Sequence, residues 1–150
     1  MINKKRGNIL NIKEGYIVHG CNAQGVMGSG LALQIKQMYP KVYEEYRKYY
    51  EESGLAVGLI VPVYINEKLC IINAITQKYY GRDKNTVYVS YAGIVTCMKR
   101  INRLIQLGDL PKVLHMPKIG CGLANGNWIY VSKCIDNEIV NTIEKNLWIL

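Results

Sequence analysis

Two glycine-rich stretches constrain this chain more than any other feature. The first is Asn22-Ala23-Gln24-Gly25-Val26-Met27-Gly28-Ser29-Gly30, and the second is Lys118-Ile119-Gly120-Cys121-Gly122-Leu123-Ala124-Asn125-Gly126-Asn127. Each follows a short apolar run of strand character, residues 16–21 and 113–116, and each precedes a segment with helical spacing. Glycine permits positive φ and lets a backbone approach a ligand closely. Successive N–H groups in such a turn converge on an anion, and the dipole of the following helix adds to that attraction. Two such nests in equivalent places suit a pyrophosphate. Neither is a Rossmann fingerprint or a phosphate loop, because both G-x-G-x-x-G and G-K-[ST] are missing there.

The rest of the chain reads as one unit of alternating strands and helices. Residues 31–39 carry apolar positions at Leu31, Ile35 and Met38, which suits a helix, and Pro40 breaks it or begins the next turn. Residues 41–52 predict a charged amphipathic helix ended by Ser53-Gly54. Residues 57–65 and 69–75 are β-rich and separated by Asn66-Glu67-Lys68, the spacing of a hairpin. A polar loop over 76–85 leads to a helix over 90–107, stopped by Gly108-Asp109. A helix is expected over 128–142, and a last short strand over 147–150. This order predicts an α/β fold, a central mixed sheet covered by helices on both faces. Ligands of such folds sit beyond the carboxyl ends of the strands, where both glycine loops lie.

Composition narrows the class. With 150 residues and 49% apolar content, one domain over residues 1–150 has enough material for a core without disulfides or metal. Five widely spaced cysteines with no C-x-x-C argue against a disulfide framework or a zinc site and for a cytoplasmic protein. No run approaches a membrane span, and the basic start Lys4-Lys5-Arg6 is interrupted at once by Gly7-Asn8, unlike a signal peptide. The net charge of +8 attracts polyanions, so nucleic acid is a conceivable partner, but the charges are scattered. A monomer is expected.

The segments Gly7-Asn8-Ile9, His19-Gly20-Cys21-Asn22-Ala23-Gln24-Gly25-Val26-Met27-Gly28-Ser29-Gly30-Leu31-Ala32 and Met116-Pro117-Lys118-Ile119-Gly120-Cys121-Gly122-Leu123, with Trp128 after them, resemble the macrodomain family, and its small branch in particular. The resemblance implies a three-layer α/β/α fold and a small-molecule ligand, ADP-ribose or a derivative, bound without cofactor or metal. It places Asn8 and Ile9 by the adenine and Asn22 on the distal ribose. It wraps the diphosphate with Met27, Gly28, Ser29, Gly30 and Leu31 on one side. Ile119, Gly120, Cys121, Gly122, Leu123 and Ala124 wrap the other, and the end at Leu150 approaches the pocket.

The activity implied first is hydrolysis of ADP-ribose 1''-phosphate to ADP-ribose and phosphate. The alternatives are a non-catalytic module for ADP-ribose or a cyclic derivative, and a hydrolase that removes ADP-ribose from protein or nucleic acid. The lysine-dependent glycosidases of the branch carry a lysine after a threonine where this chain has Gln77, with Lys78 one residue late, and some carry an aspartate where it has Ala124. Glutamine cannot form an imine or act as a base. For the phosphatase the candidate catalytic residues are His19, able to exchange a proton near neutrality, and Asp83, able to orient a water. Each also has a plain reading: a neutral histidine at a strand end, and a solvated loop carboxylate. Arg82 suits a terminal phosphate, and Tyr79 or Tyr80 suits an adenine or ribose face. Cys21 and Cys121 read as small apolar fillers, and His115 as a core residue.

Overall fold

A computed structural model of the chain describes residues 1–150. In chain order it comprises β1 (Ile2–Arg6), a 3-10 turn (Ile9–Asn11), β2 (Gly15–Asn22), α1 (Gly30–Met38) and α2 (Pro40–Ser53). There follow β3 (Ile60–Tyr64), β4 (Leu69–Gln77), α3 (Tyr91–Leu107), β5 (Val113–Met116), α4 (Trp128–Glu138) and β6 (Glu144–Ile149). The strands form one sheet in the order β1-β6-β5-β2-β4-β3. Every neighbouring pair is parallel except β3 and β4, whose antiparallel hairpin the Asn66-Glu67-Lys68 spacing predicts.

Alternation along β2 sorts its side chains to two cores. Tyr16 and Val18 join Ile72 and Ala74 of β4 against Ile94, Met98 and Ile101 of α3 and Val131 and Ile135 of α4. Ile17 faces the other way, onto Ile35 of α1 and Val42 of α2, and Cys21 packs with Met27 and Tyr46 on that side. The result is the expected α/β/α sandwich with a mixed sheet. Each fully buried Ile or Met contributes about 1.5–3 kcal/mol by leaving water.

Local chemistry sets the helix ends. Pro40 cannot extend α1 and instead opens α2, where a missing N–H costs nothing. Gly54, at φ +75°, closes α2. The Ser90 side chain accepts the Gly93 N–H at 3.0 Å and starts α3. α4 is shorter than its apolar periodicity predicts, ending at Glu138 rather than Thr142. The Val140 N–H turns instead to Asn102 Oδ1 on α3 at 3.0 Å, and Lys145 Nζ donates to the Ile139 carbonyl at 3.1 Å. β6 correspondingly begins at Glu144 rather than Leu147. The edge strand β1 is not legible as a strand, because four of its five residues are exposed and three of these are Lys4, Lys5 and Arg6. No helix is long and apolar enough to cross a membrane.

Candidate functional site: a cleft between two glycine loops

β2 is flanked by β4 on one side and β5 on the other, and the chain leaves the carboxyl ends of these strands in opposite directions. Such a switch point opens a crevice. Here it holds a cleft of about 690 Å³, within the ~300–1,000 Å³ usual for small-molecule sites. Its floor is residues 19–22 and Gln77. Residues 26–32 form one wall, 117–120 and 122–124 the other, and 80–82 the rim.

The first loop is braced from within and from behind. Asn22 Nδ2 donates to the Val26 carbonyl at 2.9 Å, and Asn22 Oδ1 accepts the Gln24 N–H at 2.9 Å. The Tyr46 hydroxyl stands 2.7 Å from the Asn22 carbonyl oxygen and 3.0 Å from Oδ1. Gly25 has φ +77°, and a Cβ there would fall 2.8 Å from Arg47 Nη1 and from the Tyr50 ring, so only glycine fits. Beyond this brace, none of the backbone N–H groups of residues 27–32 has a partner within the protein. They include the first turn of α1, whose N-cap residue Ser29 makes no side-chain cap. An uncapped helix start facing a cleft is an anion seat.

The second loop closes on itself through Gly126 N–H to the Gly120 carbonyl at 2.7 Å. Gly120 has φ +72°, and a Cβ on it would meet Val89 Cγ2 at 2.5 Å. The Ala124 carbonyl accepts the Tyr88 N–H at 2.9 Å, and Asn125 Nδ2 reaches the carbonyls of Asp83 and Thr86 at 2.9 and 2.7 Å. This fold-back leaves the N–H groups of Gly120, Gly122, Leu123 and Ala124 without internal partners. One expectation changes. The start of α4 does not contribute to the anion seat, because Asn127 caps it by accepting the Ile129 and Tyr130 N–H groups. The Cys121 N–H is likewise engaged with the Lys118 carbonyl, and the Cys121 side chain does not line the cleft.

Other expected site residues fall into place unevenly. Asn22, Met27, Gly28, Ser29, Gly30, Leu31, Ile119, Gly120, Gly122, Leu123 and Ala124 all line the cleft. Asn8 does not. It accepts the Leu10 N–H at 2.9 Å and starts the 3-10 turn, and Ile9 beside it is buried in the core under α1. Leu150 stands in solvent at 88% exposure and does not line the cleft.

The two candidates for proton transfer are both placed otherwise than expected. His19 lies in the floor, but its imidazole is buried on the α2 side. Its Nε2 donates to Asn73 Oδ1 at 2.6 Å, since Asn73 Nδ2 already donates to the carbonyls of Val42 and Val61. Burial lowers its pKa to about 4, against a weaker upward pull from Asn73. Exchange of a proton near neutrality is therefore not available to it. Asp83 lies outside the cleft lining. Its carboxylate accepts the Asn85 N–H and the Thr86 hydroxyl, both at 2.9 Å, and these bonds lower its pKa, the Asn85 N–H most. It holds the turn that supports Asn125. Burial raises the Cys21 thiol far above its usual range, so it is a filler and not a nucleophile.

Gln77, Tyr80, Arg82 and Lys118 complete the cleft. The strand register decides which residue stands at the lysine position. Asn22 pairs with Gln77 across a bulge after Cys21, so Gln77 lines the cleft and Lys78 does not. Lys78 Nζ instead lies over the Tyr79 ring at 5.3 Å. Arg82 and Lys118 are the charged residues of the lining, which contains no Asp or Glu. The site is thus rich in hydrogen-bond donors and positive charge.

A parallel-centred sandwich with paired glycine loops at its switch point defines a macrodomain. Residues 18–135 match the family model described as Macro domain, and the chain belongs to that family. It is 34% identical to an ADP-ribose 1''-phosphate phosphatase of Candida glabrata, over 82% of this chain and 84% of that one. It is 28% identical to a DNA ADP-ribosyl glycohydrolase of Thermus aquaticus, over 99% of this chain but only 41% of the relative's length. The solved macrodomain of Thermus aquaticus DarG superposes with a TM-score of 0.81 at 24% identity, over 99% of this chain and 96% of that one.

Proposed function

We propose that the cleft binds ADP-ribose and its derivatives and that its substrate is ADP-ribose 1''-phosphate. The observation that carries the reading is the pair of facing donor sets, residues 27–32 and 122–124, whose N–H groups have no other partner. A pyrophosphate between them accepts from both loops without a metal or a lysine. The names of the relatives support ADP-ribose as the nucleotide.

Hydrolysis then needs little from titrating side chains. Water adds to the terminal phosphorus, the bond from phosphorus to the C1'' oxygen breaks, and the proton released by the water passes through solvent to the leaving oxygen. ADP-ribose and inorganic phosphate result. Catalysis by positioning and charge stabilisation suits phosphoryl transfer, in which the protein does little covalent chemistry. Arg82, on the rim with its guanidinium free of internal partners, suits the terminal phosphate through bidentate donation. A second reading, binding without chemistry, is favoured by the lack of a carboxylate in the lining and by Gln77 at the lysine position.

The test is phosphate release from ADP-ribose 1''-phosphate, with calorimetric titration of ADP-ribose beside it. The expected outcome is turnover that falls roughly tenfold or more in Arg82→Ala, the loss of one charge-stabilising donor. Tight ADP-ribose binding with no phosphate release selects the binding module. Failure to bind ADP-ribose overturns the reading of the cleft.

A further inference from the structure

The rim that carries Arg82 is tied to the rest of the protein at few points. Residues 78–88 run as an arc between Gln77 and Val89, which pair in an isolated antiparallel bridge. Residues 82–87, at its tip, are all exposed. Asp83 to Thr86 form a turn closed from within. The Asp83 carboxylate accepts the Asn85 N–H and the Thr86 hydroxyl, and the Asp83 carbonyl accepts the Thr86 N–H at 3.2 Å. One side chain supplies the only hydrogen bonds from outside the arc to residues 82–87. Asn125 Nδ2 donates to the carbonyls of Asp83 and Thr86 at 2.9 and 2.7 Å. Two carbonyl partners identify that end of the carboxamide as nitrogen.

The backbone of Asn125 belongs to the second glycine loop. It is the one residue other than glycine with positive φ, at +60°, a conformation that asparagine tolerates. Its own N–H donates to the Gly122 carbonyl at 3.0 Å, and the Gly126 N–H closes the loop on the Gly120 carbonyl at 2.7 Å. These backbone bonds shape the nest without help from the Asn125 side chain. That side chain does not line the cleft, and its hydrogen bonds run only to the rim.

We propose that Asn125 is a positioning residue: it docks the rim turn on the second glycine loop and so sets Arg82, the residue before that turn, over the cleft. This rests on the reading of Arg82 as the group that meets the terminal phosphate of ADP-ribose 1''-phosphate. An exposed arc with a free tip would spread the guanidinium over many positions. A charge-stabilising donor acts fully only when it already stands where the charge develops. One carboxamide, with both of its hydrogens committed, removes that freedom.

The experiment compares wild type, Asn125→Gly, Arg82→Ala and the double variant. It measures phosphate release from ADP-ribose 1''-phosphate and, by calorimetry, affinity for ADP-ribose. Glycine keeps the positive φ and deletes both bonds to the rim. Asn125→Gly is expected to lower kcat/KM for phosphate release about tenfold, as Arg82→Ala does, the loss of one charge-stabilising donor. Its ADP-ribose affinity should stay within about twofold of wild type, because the nest keeps its backbone bonds. In the Arg82→Ala background Asn125→Gly should cost less than about twofold more, since the two residues act as a unit. Additive losses, or an equal loss of ADP-ribose affinity, would mean that Asn125 only holds its own loop, and they overturn the proposal. Unchanged kcat/KM in Asn125→Gly beside a defective Arg82→Ala also overturns it, while leaving the reading of Arg82 intact. A wild type that binds ADP-ribose without releasing phosphate, or an Arg82→Ala variant with normal turnover, refutes the reading of Arg82 itself, and the role of Asn125 with it.

Discussion

His19 shows how burial decides what a residue can do. Two residues from a thiol and in the floor of a ligand cleft, it has the neighbours of a catalytic histidine. Its ring is nonetheless 2% exposed and already bonded to Asn73, and with a pKa of about 4 it is neutral across the physiological range. The consequence is a pH dependence of folding. The unfolded chain takes up this proton below about 6.5, while the native ring takes it only near 4. The unfolded state therefore binds more protons between these values, and stability falls as pH drops through that window. About 3 kcal/mol is lost between pH 7 and pH 4 on this account, with little change above 6.5. His115, whose pKa burial also lowers, acts with the same sign. Chemical denaturation of wild type and His19→Gln isolates the His19 share: the variant's stability should vary distinctly less across the window. Identical pH profiles would show that the ring is not held neutral.

Among the elements, the contrast between two helix starts locates the ligand. α4 is capped by its own Asn127, and α1 is not capped by Ser29, although serine is a good N-cap residue. The cap is withheld where an anion is expected and supplied where none is. Ser29→Asp tests this. Its carboxylate can accept from the Leu31 and Ala32 N–H groups, which stabilises α1 by roughly 0.5–1 kcal/mol. The same carboxylate places negative charge where the diphosphate should sit. A thermal melt should therefore rise slightly while calorimetry shows ADP-ribose affinity falling at least about tenfold, the equivalent of ~1.4 kcal/mol. A variant that binds as well as wild type would show that α1 does not face the anion.

For the molecule as a whole, the cleft stands on a sheet whose far region is tied by a half-buried ion pair. Lys145 of β6 is 1% exposed, and its Nζ donates to Asp136 Oδ1 of α4 at 2.7 Å and to the Ile139 carbonyl at 3.1 Å. Removing the carboxylate strands a buried ammonium. A fully buried pair would cost ~3–5 kcal/mol when broken, but the Asp136 side chain is 40% exposed, and water screening reduces the cost to roughly 2 kcal/mol. Asp136→Ala is expected to lower stability by that amount in urea denaturation and to leave ADP-ribose affinity unchanged, since neither residue lines the cleft. A loss of affinity without loss of stability would mean that α4 is coupled to the site.

What the sequence determined by itself is largely what depends on local chemistry. Buried strands read as apolar runs, helices as 3.6-residue periods and the hairpin as a three-residue gap. The glycine loops read as loops because positive φ, as at Gly25 and Gly120, excludes other residues cheaply. Their placement at strand ends sufficed to locate the cleft. Tertiary structure decided the rest, because it turned on contacts between distant residues. β1 exists as a strand through its parallel pairing with β6, which its lysines do not announce. α4 stops where Asn102, on another helix, takes its next N–H. The bulge opposite Gln77 settled which of two adjacent residues enters the cleft. Burial beneath the packed elements, with Asn73 fifty-four positions away holding the ring, turned His19 from a candidate base into a neutral core residue. Spacing along a chain reports which side of a strand a side chain leaves from, but whether that side is wet, charged or already hydrogen-bonded is fixed only when the other elements pack against it.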